Sequence, residues 1–476
     1  MKPALMRCAL GLLVACVILG GTFFWLQNAQ TKPPPAVNLV FSTREPTHIR
    51  SLTVMNARGG FAVRYNAEEG GYAIGSLKPE LIDMERFINL LVAQAALTAK
   101  SRVAEPVAEL SDYGLDTPLA TCELVFDDNT ALRYRIGRQE AVSLDYYLQV
   151  EGQEGVFTYP EQEASALLLN EASLISTLVT PELTLSSPLS QIRDARFSGK
   201  AFSEPIGLHA VMGANEDIRL QALTFGAATH LIKGRGLHEL DQLGGIRVLG
   251  SLLGIRAIAI VGYNLTETDI LALGFDQPDY VAQFNLVRRN QTDLPLTLSL
   301  VRSENDTFFA WVKDRDVVYL INRPAFVDLR YEDLIMRYFA SPMLVDITGL
   351  TITGGEKQYD IRFSRDAQRK ASATVNKKEV DVELFYAFYR LLSSAAADGG
   401  FILGEVDTGK EALRVTYHYK NEQKPDDVLI FYPHTARRMA VEVNGVAELD
   451  IKDGFVVALL RACEQLLLGE AIEEVW

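Results

Sequence analysis

Residues 111–118 read SDYGLDTP, and residues 271–278 read LALGFDQP. The shared element is Gly114-Leu115-Asp116-x-Pro118 against Gly274-Phe275-Asp276-x-Pro278. Glycine supplies a positive φ or a close backbone approach. Aspartate can bond the backbone amide two residues on, and proline fixes the entry to a strand while forbidding helix. Met once, such a motif is a candidate site. Met twice at matching places, it is a turn that sets the register of a repeated domain.

The chain around the motif repeats as well. IDMERF (82–87) and VDVELF (380–385) open the amphipathic runs LIDMERFINLLVAQAAL and VDVELFYAFYRLLSSAAA. Asp83 and Asp381 are N-cap candidates, because a short carboxylate accepts from a free first-turn amide, and the glutamate two residues on favours the positive end of the helix dipole. LDQLGGIRVLGSLLGI (240–255) holds the same place in the middle of the chain, with Asp241 as its cap. Upstream, IRSLTV (49–54), IRDARF (192–197) and ITGLTI (347–352) follow Pro46, Pro188 and Pro342 and begin strand-rich passages. Downstream, 120–137, 280–301 and 412–432 read as hairpins, and 146–159, 308–321 and 438–450 as second hairpins. EASALLLNEASLIS, FVDLRYEDLIMRYFA and GFVVALLRACEQLLLGE read as closing helices. The third copy carries LGEVDTGK, in which Gly404 and Asp407-Thr408 echo the motif and Gly409 stands in place of the proline. The order predicts an α+β fold with three tandem, β-rich repeat domains at 46–187, 188–341 and 342–476.

The N-terminus predicts a membrane anchor. CALGLLVACVILGGTFFWL (8–26) has no charged residue and is long enough to span a hydrocarbon core as a helix. Lys2 and Arg7 precede it, so 1–27 reads as a cytoplasmic tip and transmembrane helix with the bulk of the chain outside. Residues 28–45 read as a proline-rich spacer. The rival reading is a lipobox at Leu13-Val14-Ala15-Cys16, with Cys16 lipidated. A net charge of -15 argues against non-specific nucleic-acid binding. Cys122 and Cys463, the two cysteines beyond the anchor, read as buried free thiols rather than a disulfide framework.

With these features in view, the chain resembles the bacterial domain-of-unknown-function 4340 family. The anchor, LKPELIDMERFINLLVAQAAL, LSDYGLDTP and the hairpin ending YRIG before YYLQV carry the resemblance, most clearly over 46–185. The middle repeat has diverged, and the last departs most. The resemblance implies a membrane-anchored protein, with some members auxiliary to gliding-type ABC exporters, and it brings no catalytic residues.

The residues themselves point away from an active site. The six histidines show no metal-ligand spacing, and there is no P-loop or GxSxG elbow. KGRGLHELDQLGG (233–245) has Gly234-x-Gly236 before a helix, but without the spacing of a phosphate loop, and it reads as a strand-to-helix turn. Asp83 with Glu85, and Asp381 with Glu383, are explained by capping. The aromatics Tyr146, Tyr147, Phe308, Phe309 and Trp311 on the second hairpins are candidate contact residues for a glycan or a protein partner. The expectation is a non-enzymatic extracytoplasmic scaffold with no cofactor or metal, whose partner is an ABC-type permease, an ATPase or another envelope protein. A cell-envelope glycan- or protein-binding module is the second reading, and an envelope hydrolase the third.

Overall fold

A computed structural model describes residues 39–476, except 69, 105–108, 213–219, 221–227, 290, 341, 369 and 403. The expected anchor 8–26, with Cys16, lies outside the described residues, as do residues 28–38 of the expected spacer. Among the described residues no helix is long and apolar enough to cross a membrane. The fold is α+β, with four antiparallel sheets among the described residues. The chain divides into two compact units, Met1–Ser176 and Thr177–Trp476.

The first unit holds β1 (Leu39–Val40), β2 (Ile49–Asn56), β3 (Phe61–Asn66), β4 (Gly71–Ile74), β5 (Thr98–Ala99), β6 (Ser101–Ala104), β7 (Ala120–Phe126), β8 (Ala131–Gln139), β9 (Tyr146–Val150) and β10 (Val156–Tyr159). β1 and β5 pair alone, so part of the stretch read as a spacer is strand. The other eight form one sheet in the order β4-β3-β2-β7-β8-β9-β10-β6. The helix Met84–Ala95 follows β4; the Asp83 carboxylate accepts from the Arg86 amide at 3.1 Å, and Phe87, Leu90, Leu91 and Ala95 are buried.

The second unit holds two further sheets. One contains β11 (Ile192–Ser198), β12 (Ile206–Ala210), β13 (His230–Lys233), β14 (Leu237–Glu239), β15 (Ala257–Tyr263), β16 (Tyr280–Leu286), β17 (Leu294–Arg302), β18 (Thr307–Val312) and β19 (Val317–Asn322). Its order is β14-β13-β12-β11-β16-β17-β18-β19-β15. The other contains β20 (Ile347–Gly354), β21 (Lys357–Arg365), β22 (Ala371–Val375), β23 (Lys378–Val380), β24 (Leu413–Tyr419), β25 (Asp427–Thr435), β26 (Arg438–Val443) and β27 (Val446–Lys452), in the order β23-β22-β21-β20-β24-β25-β26-β27. The three large sheets share one plan: a meander of three or four strands, a helix after it, then a second meander of four paired to the first strand of the first. Asp241 caps Gln242–Gly250 through the Gly244 amide, and Asp381 caps Val382–Ser393 through the amides of Glu383 and Leu384.

Period-two alternation puts one face of the last sheet under its helices. Phe385, Phe388 and Leu391 from Val382–Ser393, and Phe455, Leu459 and Leu466 from Gly454–Leu468, share a core with Leu350, Ile361, Val415 and Phe431. The opposite face carries a smaller cluster of Ile402, Ile430, Tyr432 and Ala440, with Val406 packed against it.

The closing segments correct the sequence reading. Only Gly454–Leu468 is one continuous helix. Residues 163–176 give the end of a short helix, Glu161–Leu167, and a 3-10 turn, Glu171–Leu174. Residues 326–340 give two 3-10 turns, Ala325–Asp328 and Tyr331–Asp333, and then run extended. The extended backbone is needed for bonding. Asp241 N–H donates to Leu334 O at 2.7 Å and Met336 N–H to Glu239 O at 2.8 Å; then Ala397 N–H donates to Arg337 O at 2.7 Å and Phe339 N–H to Ala395 O at 3.1 Å. A helix would withdraw those groups from their partners. The same register occurs earlier. Leu174 and Ser176 bond to Asp83 and Leu81 in the first unit, and Thr177 and Val179 bond to Ala257 and Ile255 in the second.

Candidate functional site

The stretch KGRGLHELD is a hairpin turn between β13 and β14, rather than a plain strand-to-helix turn, with Gly234 N–H donating to Gly236 O at 3.0 Å. Both glycines are there for space. A Cβ on Gly234 would lie 2.5 Å from the Tyr331 ring, and one on Gly236 would lie 2.4 Å from Glu448 Oε1 and 2.7 Å from His238 Nε2. The turn therefore closes on a buried polar cluster. His238 Nε2 lies 2.5 Å from Glu448 Oε1, with side chains 5% and 2% exposed. Tyr331 Oη donates to the same oxygen at 2.9 Å, lies 3.1 Å from Gly236 O and accepts from the Gly236 amide at 3.1 Å. Arg235 Nε stands 3.5 Å from Glu448 Oε2, which has no hydrogen-bond partner among the described residues. Burial and the neighbouring carboxylate raise the Tyr331 hydroxyl well above its usual range.

A carboxylate, an imidazole and a phenol are acid–base groups by type. Here they are enclosed and face one another, so the arrangement holds a charge in place. Spacing gave no sign of it, because His238 and Glu448 are 210 residues apart. The glycine pair was the one visible trace.

The repeated motif proves to be a clasp on the back of a sheet. Gly114 has φ 64° and Gly274 φ 95°. Leu115 and Phe275 are 0% and 5% exposed, while Asp116 and Asp276 are exposed. Pro118 and Pro278 stand two residues before β7 and β16. The expected amide bond from Asp116 does not form, since two residues on is a proline; its carboxylate takes the Thr117 hydroxyl at 3.4 Å instead. In the third copy that bond exists, from Gly409 N–H to Asp407 Oδ1 at 3.0 Å, because glycine keeps the amide. Val406 takes the inward place there.

The clasp accounts for most of the candidate contact aromatics. Phe308 is fully buried on the core side. Phe309 and Trp311, on the other face of β18, pack with Phe275 under the clasp, and Trp311 Nε1 donates to Arg315 O at 2.7 Å. Tyr147 meets Tyr113 edge-on at 5.0 Å, and Tyr146 is half-buried. Phe308, Phe309 and Trp311 are packing residues, with Phe308 furthest from any surface role.

Among the described residues, five of the six histidines have partners for their side chains. His48 bonds Asp127, His209 bonds Asp194, and His418 lies between Asp426 and Thr351. Among the described residues there is no group of His, Cys, Asp and Glu that could hold a metal ion. Cys122 and Cys463 are free and buried, and burial pushes the Cys122 thiol up to about 12.

His230 gives a pH prediction. It is 1% exposed, its Nε2 donates to Ile192 O at 2.9 Å, and burial lowers its pKa from 6.5, against smaller opposing effects of that hydrogen bond and of Asp194. The unfolded chain therefore takes up a proton that the folded chain refuses. Stability is fully present above pH 6.5 and falls as the pH drops through that value, levelling off once the folded imidazole also titrates. Urea midpoints read on tryptophan fluorescence between pH 8 and 5 are expected to show this fall, and His230→Gln, which keeps a donor for Ile192 O, is expected to flatten it. The Asp194–His209 pair contributes lower down: its carboxyl is depressed by His209, so that stability is lost below about pH 4.

The first unit carries the more open feature, an apolar groove of about 680 Å³ between the β4 edge and the helix Met84–Ala95. Tyr72, Phe87, Ile82 and Leu91 form its walls with Pro46 and Pro79. Tyr72 Oη anchors to the carbonyls of Pro46 and Ile49, and its ring meets Phe87 edge-on at 5.6 Å. Along the rim Met84, Ile88 and Val92, at i, i+4 and i+8, are 53%, 50% and 48% exposed. On the corresponding helix of the last sheet the chain covers itself: Arg390 pairs with Glu474, and Trp476 Nε1 donates to Ser394 Oγ.

Residues 79–198 match the family described as Domain of unknown function (DUF4340). The matched stretch takes in the first helix, the first clasp and both hairpins of the first sheet. The curated proteins and the solved structures gave no significant match.

Proposed function

We propose that the protein is a non-enzymatic accessory of an ABC-type export complex in the cell envelope. In this reading 8–26 is a single-pass anchor, the rest of the chain lies outside the membrane, and 46–187, 188–341 and 342–476 are three copies of one α+β body. The recurrent strand order, the recurrent clasp and the recurrent register at 174–179 and 334–339 support the duplication. The exposed stripe of Met84, Ile88 and Val92 beside the Tyr72–Phe87 groove carries the accessory role. An apolar helix face with an aromatic-walled groove suits an apolar segment of a protein partner. The enclosure of the His238–Glu448–Tyr331 cluster fits a protein whose polar chemistry is structural.

Co-purification of the full chain from mild detergent tests this. A permease or ATPase is expected with the wild type and with Asp116→Ala. Recovery is expected to fall at least tenfold with Ile88→Asp, a change at a half-exposed position whose unchanged circular dichroism and urea midpoint are the control for folding. Equal recovery of partner with Ile88→Asp would remove the groove from the interface. Recovery of no transporter component with the wild type would remove the accessory role.

A further inference from the structure

Within the second unit, the segment 334–339 bonds to Glu239–Asp241 through Leu334–Met336 and to Ala395–Ala397 through Arg337–Phe339. Its partner changes between Met336 and Arg337, so turning there preserves both sets of bonds. Three of the side chains that join the β11–β19 body to the β20–β27 body converge on one residue, Glu448 of β27, while Lys424 Nζ separately donates to Leu220 O at 3.2 Å. His238, Tyr331 and Arg235 all address its carboxylate, Arg235 Nη1 also donates to Ile402 O at 3.2 Å, and the Tyr331 ring meets Phe401 at 5.9 Å. This is a poor way to gain stability. A buried carboxylate is costly to desolvate, and here both hydrogen bonds fall on Oε1 while Oε2 has only the guanidinium at 3.5 Å. It is a good way to choose one arrangement out of several, because the carboxylate fits only where the two glycines leave room. In the first body, Glu171 holds the position of Tyr331 and is engaged at home, on the Ser76 amide and hydroxyl.

We propose that Glu448 is a latch. Seated in the Gly234-Arg235-Gly236 turn, it fixes the two sheet bodies in a single arrangement. Unseated, it leaves them joined through the 334–339 segment and the Lys424–Leu220 bond, and able to turn about Met336–Arg337 without unfolding.

Hydrogen exchange on the full chain tests the latch, comparing wild type, Glu448→Ala, Glu448→Gln and Gly236→Ala. The last expels the carboxylate with its charge intact. Glu448→Ala and Gly236→Ala are expected to speed exchange of the Gly236 and Ile402 amides about tenfold or more, while Phe339, Ala397 and the β20–β25 amides keep their protection. Glu448→Gln is expected to resemble Glu448→Ala, since a neutral amide brings its own N–H towards Arg235. Unchanged exchange at Gly236 and Ile402 in both Glu448→Ala and Gly236→Ala overturns the latch. So does acceleration spread evenly over β20–β27, which makes Glu448 an ordinary core residue. Wild-type behaviour of Glu448→Gln overturns the requirement for charge.

Discussion

Phe431→Ala is expected to destabilise the last sheet by about 3–5 kcal/mol, the range for removing a fully buried phenylalanine. Phe431 is 0% exposed and lies between Phe339 at 6.2 Å and Phe455 at 5.6 Å, where β25 meets the closing helix. Neither neighbour can collapse into the space. Phe339 is tied by its amide to Ala395, and Phe455 is held from outside by Trp476 at 5.4 Å. Two native reporters read the outcome. Trp476 fluorescence should change at lower urea, and Cys463, whose thiol burial pushes far up, should label sooner. Cys122, in the first unit, should label as in the wild type. An unchanged urea midpoint at Trp476 would show that the core repacks around the loss.

The same neighbourhood shows what a sequence discloses. The helix Val382–Ser393 was legible, because its cap and its apolar spacing lie within a dozen residues of each other. The hairpins were legible for the same local reason. The 326–340 segment was misread as a helix. Its apolar residues have a helical look, but its backbone groups are claimed by Glu239–Asp241 and Ala395–Ala397, far off in the chain. The aromatics of β18 stayed open between contact and packing, because alternation gives two faces without saying that both are covered. The Glu448 cluster was beyond reach. Its members come from β27, β14, the β13–β14 turn and a 3-10 turn, and only the fold brings them together. Glu448 itself sits in VAELD, which reads as an ordinary half-exposed strand. In each case the signal was read well where cause and effect were neighbours in sequence, and lost where tertiary pairing decided.

The clasp allows a sharp contrast between adjacent residues. Leu115→Ala is expected to cost the first unit about 2–5 kcal/mol, whereas Asp116→Ala is expected to stay within about 0.5 kcal/mol of wild type. Leu115 is fully buried, and Gly114, in its left-handed conformation, turns it onto the sheet beside Gly137, with Tyr113 lying over Tyr147. Asp116 faces water, and its one side-chain bond is to the neighbouring Thr117 at 3.4 Å. A catalytic motif would invert this order: losing the carboxylate would abolish function with the fold intact, and the leucine would matter less. Cys122 supplies the measurement. It is 4% exposed on β7, just past Pro118, and its pKa of about 12 keeps it unreactive while the sheet is closed. Peptide-mapped labelling of Cys122 in rising urea should therefore shift to much lower denaturant for Leu115→Ala and hardly move for Asp116→Ala. The parallel pair in the second unit, Phe275→Ala and Asp276→Ala, should divide the same way on Trp311 fluorescence, since Phe275 meets that ring at 5.8 Å. If both aspartate variants proved as damaging as their apolar neighbours, the motif would have to be more than a clasp.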